Sequence, residues 1–245
     1  MQSNLVLLHG WGMNKAVWQL VQQDLQSAGY NQVLALDLPG FGNAPWLQAE
    51  YDLTTAVTEL AAHIPEQSTL VAWSMAGLFA LHLAQAYPNK VRKIILVGSS
   101  PYFLESPQWP GIKALVLAQF QAALLQDTGK TIERFLAIQA MGSEHAKQDI
   151  KRLREWLATS PTPNTVALAG GLTLLADCDL RALFCALPIP IYGIFGRLDS
   201  LVPERAVAAM QQLNPAFRAE ILPKASHAPF ISHREEFVSI LKSML

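Results

Sequence analysis

Four short segments carry side chains that together can do nucleophilic chemistry. Val71-Ala72-Trp73-Ser74-Met75-Ala76-Gly77 runs from an apolar stretch through small–x–Ser–x–small into a helical pattern. That is the signature of a sharp strand-to-helix turn that exposes a serine hydroxyl. Alone, a serine at a helix start is as readily an N-cap. Asp199, in Gly196-Arg197-Leu198-Asp199, ends a second apolar run, and His227, in Lys224-Ala225-Ser226-His227-Ala228-Pro229-Phe230, follows a third. In that chain order the three residues divide the work of acyl transfer. Ser74 attacks a carbonyl, His227 accepts its proton, and Asp199 fixes the imidazole tautomer. His9-Gly10-Trp11-Gly12 follows the first apolar run, and its glycines leave backbone amides open. The N–H groups of Trp11 and Met75 are therefore expected to hold an oxyanion.

Other reactive side chains read as structural. Asp37, in Asp37-Leu38-Pro39-Gly40-Phe41-Gly42, precedes the elbow and organises its own Pro-Gly turn. His233 begins the last helix, His9 lines the oxyanion turn, and His63, His82 and His145 fall on helical stretches as packing or surface residues. Cys178 and Cys185, without metal-ligand spacing, read as reduced and mostly buried thiols. Neither a metal nor a cofactor is expected.

The elements that must position these residues follow from periodicity. Short apolar runs at Leu5–Leu8, Gln32–Leu36, Thr69–Trp73, Lys93–Gly98, Ile189–Phe195 and Ala219–Leu222 read as buried strands. Helical patterns at Lys15–Ala28, Leu53–Ile64, Ala76–Tyr87, Glu204–Leu213 and Glu235–Leu245 alternate with them. Such alternation predicts an α/β fold with a mostly parallel sheet and helices on both faces. It fails once, where Ile112–Gln126, Thr131–Ala140, Glu144–Thr159 and Thr165–Ala176 follow one another as helices. The expected organisation is a core of 1–103 and 169–245 with a helical cap, 104–168, over the carboxyl ends of the strands.

Composition sets the limits. The chain has 245 residues, of which 51% are hydrophobic and 15% charged, so a large core must be buried and disorder is excluded. A net charge of −1 gives no electrostatic case for nucleic acid. No apolar run is long enough for a membrane span, and the first residues lack the pattern of a signal peptide, so a cytoplasmic protein is expected.

At these motifs the chain resembles the α/β-hydrolases, and more narrowly the pimeloyl-[acyl-carrier protein] methyl ester esterases of biotin synthesis. The resemblance also rests on Trp109-Pro110-Gly111-Ile112-Lys113, Glu133-Arg134-Phe135-Leu136-Ala137 and His227-Ala228-Pro229-Phe230-Ile231-Ser232-His233. It implies Ser74, Asp199 and His227 as catalytic residues and Trp11 and Met75 as oxyanion donors. Phe135, Leu136, Ala137, Ile138 and Gln139 would line the substrate channel. Acyl-carrier protein would be the partner of a monomer, docked on Lys130, Arg134, Lys147 and Lys151. The family carries glycine where Ala72 and Ala76 stand, and begins with a strand pair where Met1 here leads into the first core strand, so an exposed sheet edge is expected. The same triad would also serve a general short-chain carboxylesterase, a carbon–carbon bond hydrolase, or a receptor built on a hydrolase fold. A serine at 74 argues against dehalogenases and epoxide hydrolases, which need a carboxylate there.

Overall fold

The computed structural model describes residues 4–141 and 146–245. Among the described residues six strands are present: β1 (Leu5–Leu8), β2 (Val33–Leu36), β3 (Ser68–Trp73), β4 (Val91–Val97), β5 (Ile191–Gly196) and β6 (Arg218–Leu222). They form one sheet in the order β2-β1-β3-β4-β5-β6, and every pairing is parallel. β1, β3 and nearly all of β4 and β5 are buried on both faces, which explains their continuous Leu/Val/Ile runs.

The helices are α1 (Gln19–Ser27), α2 (Leu53–Ala61), α3 (Ala76–Ala86), α4 (Ala114–Gln126), α5 (Thr128–Gln139) and α6 (Ala146–Leu157). After them come α7 (Thr165–Asp177), α8 (Arg181–Ala186), α9 (Glu204–Leu213), α10 (Pro229–Ser232) and α11 (Arg234–Met244). The crossover β1–α1–β2 moves one way along the sheet, whereas β3–α3–β4 and its successors move the other. Right-handed crossovers then put α1 on the face opposite α2, α3 and α8. Packing agrees, with α1 against α11, and α3 against α2 and α8. The strand order reverses between β1 and β3, so the loops after these two strands flank the switch point where α/β sheets bind ligands.

Between β4 and β5 lie α4 to α8, of which α4–α7 pack on one another and on the loops above the sheet. α7 runs unbroken from Thr165 to Asp177, so a division at residue 168 falls inside a helix. α5 starts at Thr128 because the Asp127 carboxylate caps it, accepting from the Lys130 N–H; Gly129 therefore sits inside the first turn instead of breaking the helix. The expected start of α6 at Glu144, together with His145, lies outside the described residues. β2 forms one edge of the sheet, with Leu34 38% exposed. The cysteines are free, but Cys185 is exposed, not buried, because it faces outward on the short α8. Half-buried Cys178 has its thiol pushed up to about 11 by burial and by Asp179 and Asp177.

Candidate active site

The chain turns from β3 into α3 through Ser74, whose φ is +56°. A left-handed non-glycine residue costs roughly 1–2 kcal/mol, so the surroundings must hold it. They do so from both sides. The Ser74 N–H donates to Val97 O at 2.9 Å, and its carbonyl accepts from Ser99 Oγ at 2.6 Å and from the Gly77 N–H at 3.0 Å. The need for small residues falls beside the expected positions. A methyl carbon at Gly77 would lie 2.0 Å from Ser99 Oγ, and one at Gly10 would lie 3.0 Å from Ser74 Cβ. Ala72 and Ala76 are both fully buried.

Ser74, His227 and Asp199 come together in one buried chain of hydrogen bonds. His227 Nε2 lies 2.9 Å from Ser74 Oγ, and Nδ1 lies 2.7 Å from Asp199 Oδ2. An ionised Asp199 can only accept, so Nδ1 carries the proton and Nε2 is left to accept from the Ser74 hydroxyl. Asp199 Oδ1 is fixed by the N–H groups of Leu201 and Val202, at 2.8 and 3.0 Å. The loop that carries His227 is tied directly to the elbow, since Trp73 Nε1 donates to His227 O at 2.9 Å. His233 caps nothing with its side chain; its Nδ1 lies 2.9 Å from Ser232 Oγ.

The turn after β1 is held by two side chains. His9, fully buried, donates from Nδ1 to Gly10 O at 2.8 Å and accepts the Leu38 N–H on Nε2 at 3.0 Å. Burial pushes its pKa down to about 4, against smaller upward effects of the Gly10 carbonyl and the nearby Asp37. Asp37 does organise its turn: Oδ1 accepts the Lys15 N–H and Oδ2 the Asn43 N–H, at 2.7 and 3.0 Å. The Trp11 indole donates to Leu168 O on α7 at 2.8 Å and meets the Phe135 ring edge-on at 4.8 Å. Among the described residues neither the Trp11 nor the Met75 backbone N–H has an acceptor.

A cavity of about 360 Å³ opens from Ser74 into the cap. Phe103, Ile112, Leu117, Phe120, Phe135, Ile138 and Leu175 form apolar walls, and Glu105, Lys113 and Arg205 also line it. Of the five α5 residues expected to line the channel, Phe135 and Ile138 do so. Leu136, Ala137 and Gln139 do not, because helical periodicity turns Leu136 and Gln139 into other buried contacts and Ala137 to solvent. Trp11 packs behind Phe135 and is not itself a wall. The larger contribution comes from α4, and its signal was present in the sequence as Leu117 and Phe120, three apart on one helix face.

The basic side chains of the cap are exposed, and most have partners. Lys130 lies 3.3 Å from Asp127, Lys151 lies 3.8 Å from Glu155, and the Arg134 guanidinium sits 5.0 Å over the Phe120 ring. Arg154 is bound to Glu133. Lys147 is exposed. Among the described residues no cluster of three His, Cys, Asp or Glu could hold a metal ion, and no helix is long and apolar enough to cross a membrane.

A strained serine elbow at a switch point, with an acid and a base on two further strand ends, defines a hydrolase class. A family model for the alpha/beta hydrolase fold matches residues 4–234. The chain is 49% identical over 240 residues to the pimeloyl-[acyl-carrier protein] methyl ester esterase of Aeromonas hydrophila, covering 98% of this chain and 94% of that one. It is 44% identical over 243 residues to the enzyme of the same name from Aliivibrio salmonicida, covering 99% and 92%. This chain therefore belongs to the α/β-hydrolase family and, within it, to the family of these esterases. An esterase from Exiguobacterium antarcticum shares the fold, with a TM-score of 0.87 at 23% identity, covering 99% of this chain and 91% of that one.

Proposed function

We propose that this chain is a serine carboxylesterase that hydrolyses the methyl ester of pimeloyl-[acyl-carrier protein] methyl ester, releasing methanol in biotin biosynthesis. The observation that carries the reading is Ser74 Oγ, 2.9 Å from His227 Nε2, at the foot of an apolar channel. The named relatives supply the substrate.

The steps follow from the geometry. His227 Nε2 takes the Ser74 proton as Oγ attacks the ester carbonyl. The oxyanion that forms is held by the N–H groups of Trp11 and Met75, and Asp199 stabilises the imidazolium. His227 then protonates the departing methoxide, and water admitted to the site, deprotonated by His227, cleaves the acyl-enzyme. The walls suit an unbranched hydrocarbon chain, and the carboxylate created by hydrolysis is poorly solvated there, which favours release. Lys130, Arg134, Lys147 and Lys151 are proposed to meet acidic groups of the carrier. On this reading the enzyme is a cytoplasmic monomer and needs no cofactor.

The test is methanol release from methyl-pimeloyl-acyl-carrier protein by the wild type and by Ser74→Ala. Release that falls on the order of 10⁶-fold in the variant supports triad and substrate together. Ser74-dependent cleavage of small p-nitrophenyl esters without methanol release would leave a general carboxylesterase.

A further inference from the structure

Helix α4 carries no charged residue along its 13 positions. Its inner face, Leu117, Phe120 and Leu124, is buried, as expected for a helix over a channel. Its outer face is uncharged, and beside the exposed Gln119 and Gln126 it carries an apolar stripe. Leu115 is 70% and Leu125 85% exposed, and Ala118 and Ala122 are exposed between them. Spacings of three, four and three put these four on one stripe, about 15 Å long. A surface helix ordinarily turns charge to water, and a contiguous apolar patch marks a contact site.

The stripe's position says what it contacts. It begins beside the channel opening: Val116, next to Leu115, is partly exposed and also lines the cavity that holds Ser74. Lys113, just before α4, lines the same cavity. Lys130, early in α5 beyond the stripe's far end, has its side chain 88% exposed. An apolar ridge with a cation near each end, Lys113 on the cavity wall that also holds Glu105 and Lys130 paired with Asp127 yet largely exposed, fits an acidic partner that has an apolar spot between its carboxylates. A second copy seated here would lie over the opening and block entry of a substrate chain. A partner that itself delivers the chain gains from sitting there.

We infer that the α4 stripe is the seat of the acyl-carrier protein, with Leu115 and Leu125 as its apolar contacts and Lys113 and Lys130 flanking them. The inference rests on the reading of the chain as an esterase of carrier-borne esters. It adds an apolar contact to the basic docking residues and moves the centre of the interface to α4, next to the opening.

The experiment measures binding of methyl-pimeloyl-acyl-carrier protein to Ser74→Ala enzyme, with and without Leu115→Ser plus Leu125→Ser. The double substitution should raise Kd at least tenfold. In active enzyme it should raise KM for the carrier ester by a similar factor while kcat and the turnover of p-nitrophenyl acetate stay within twofold. An unchanged Kd overturns the seat while leaving the esterase reading intact. A wild type that releases no methanol from the carrier ester overturns the esterase reading and the seat with it. Sedimentation and flotation with anionic phospholipid vesicles complete the test. If the leucine pair abolishes dimers or vesicle binding while carrier Kd is unchanged, the stripe belongs to a second copy or a membrane.

Discussion

The two halves of the candidate active site are built on different physics. Below, at the strand ends, Ser74, His227 and Asp199 are fixed by directional hydrogen bonds. Asp199 accepts two backbone N–H groups besides its bond to His227, the elbow is held by Val97 and Ser99, and His9 bridges two loops. Above, in the cap, the channel walls are side chains of α4, α5 and α7 held mainly by apolar packing, such as the Phe120–Phe135 edge contact at 5.8 Å. Directional bonds fix atoms to tenths of an ångström, which catalysis needs. Apolar packing tolerates volume-conserving exchange, so a cap can be retuned for another chain without touching the chemistry.

One pair of substitutions separates the halves most sharply. Asp199→Asn presents an amide N–H toward His227 Nδ1 and imposes the other tautomer, so kcat should fall by on the order of 10⁴ for every ester alike. Ile138→Phe, a partly exposed wall residue, should lower kcat/KM for the pimeloyl ester about tenfold and leave p-nitrophenyl acetate within twofold. Steady-state kinetics on both substrates reads the contrast. If Ile138→Phe slowed both esters equally, the cap would be part of the catalytic apparatus and the division would fail.

The same division explains what could be read from residues alone. That Ser74, Asp199 and His227 would come together was legible because each follows a strand and is marked by a local pattern, and their chain order is informative. The sheet was legible because doubly buried strands are uniformly apolar. The channel was not, since α5 alternates wall, core and solvent residues within Phe135–Gln139, and a segment match carries no helical phase. The crowding at the elbow was also hidden. It depends on Ser99 and Gly10 reaching the turn from other strands, which no local pattern around residue 74 encodes. Helix α8 escaped notice because six residues are too few to show a period.

His9 offers a test within the lower half. Folded, its pKa is about 4 because burial disfavours the cation; unfolded, it returns to about 6.5. Above pH 6.5 both states are neutral at this residue, and its contribution is fully present. As pH falls, the unfolded chain binds a proton that the folded chain resists, so stability is lost through the window from 6.5 to 4. That window costs the wild type about 3 kcal/mol at this residue. His9→Gln keeps an acceptor for the Leu38 N–H but cannot titrate. Denaturant midpoints between pH 7 and 4 should therefore fall less steeply in the variant. Parallel curves would mean that the turn admits water and that its amides are not rigidly held.

The smallest effect is expected where the halves are tied together. Ser226, next to His227, donates from Oγ to Met141 O just past the end of α5, at 2.6 Å. Ser226→Ala removes about 1 kcal/mol of hydrogen bonding and should lower Tm by about 3 °C. The informative readout is local. Amide hydrogen exchange should quicken in α5, whose end loses its anchor, while β3 and the elbow amides keep their protection, because Trp73 and Ser99 hold them independently of the cap. Equal acceleration in both regions would show that the elbow depends on the cap for its rigidity. The two halves would then be one cooperative unit, and retuning the channel would carry a catalytic penalty.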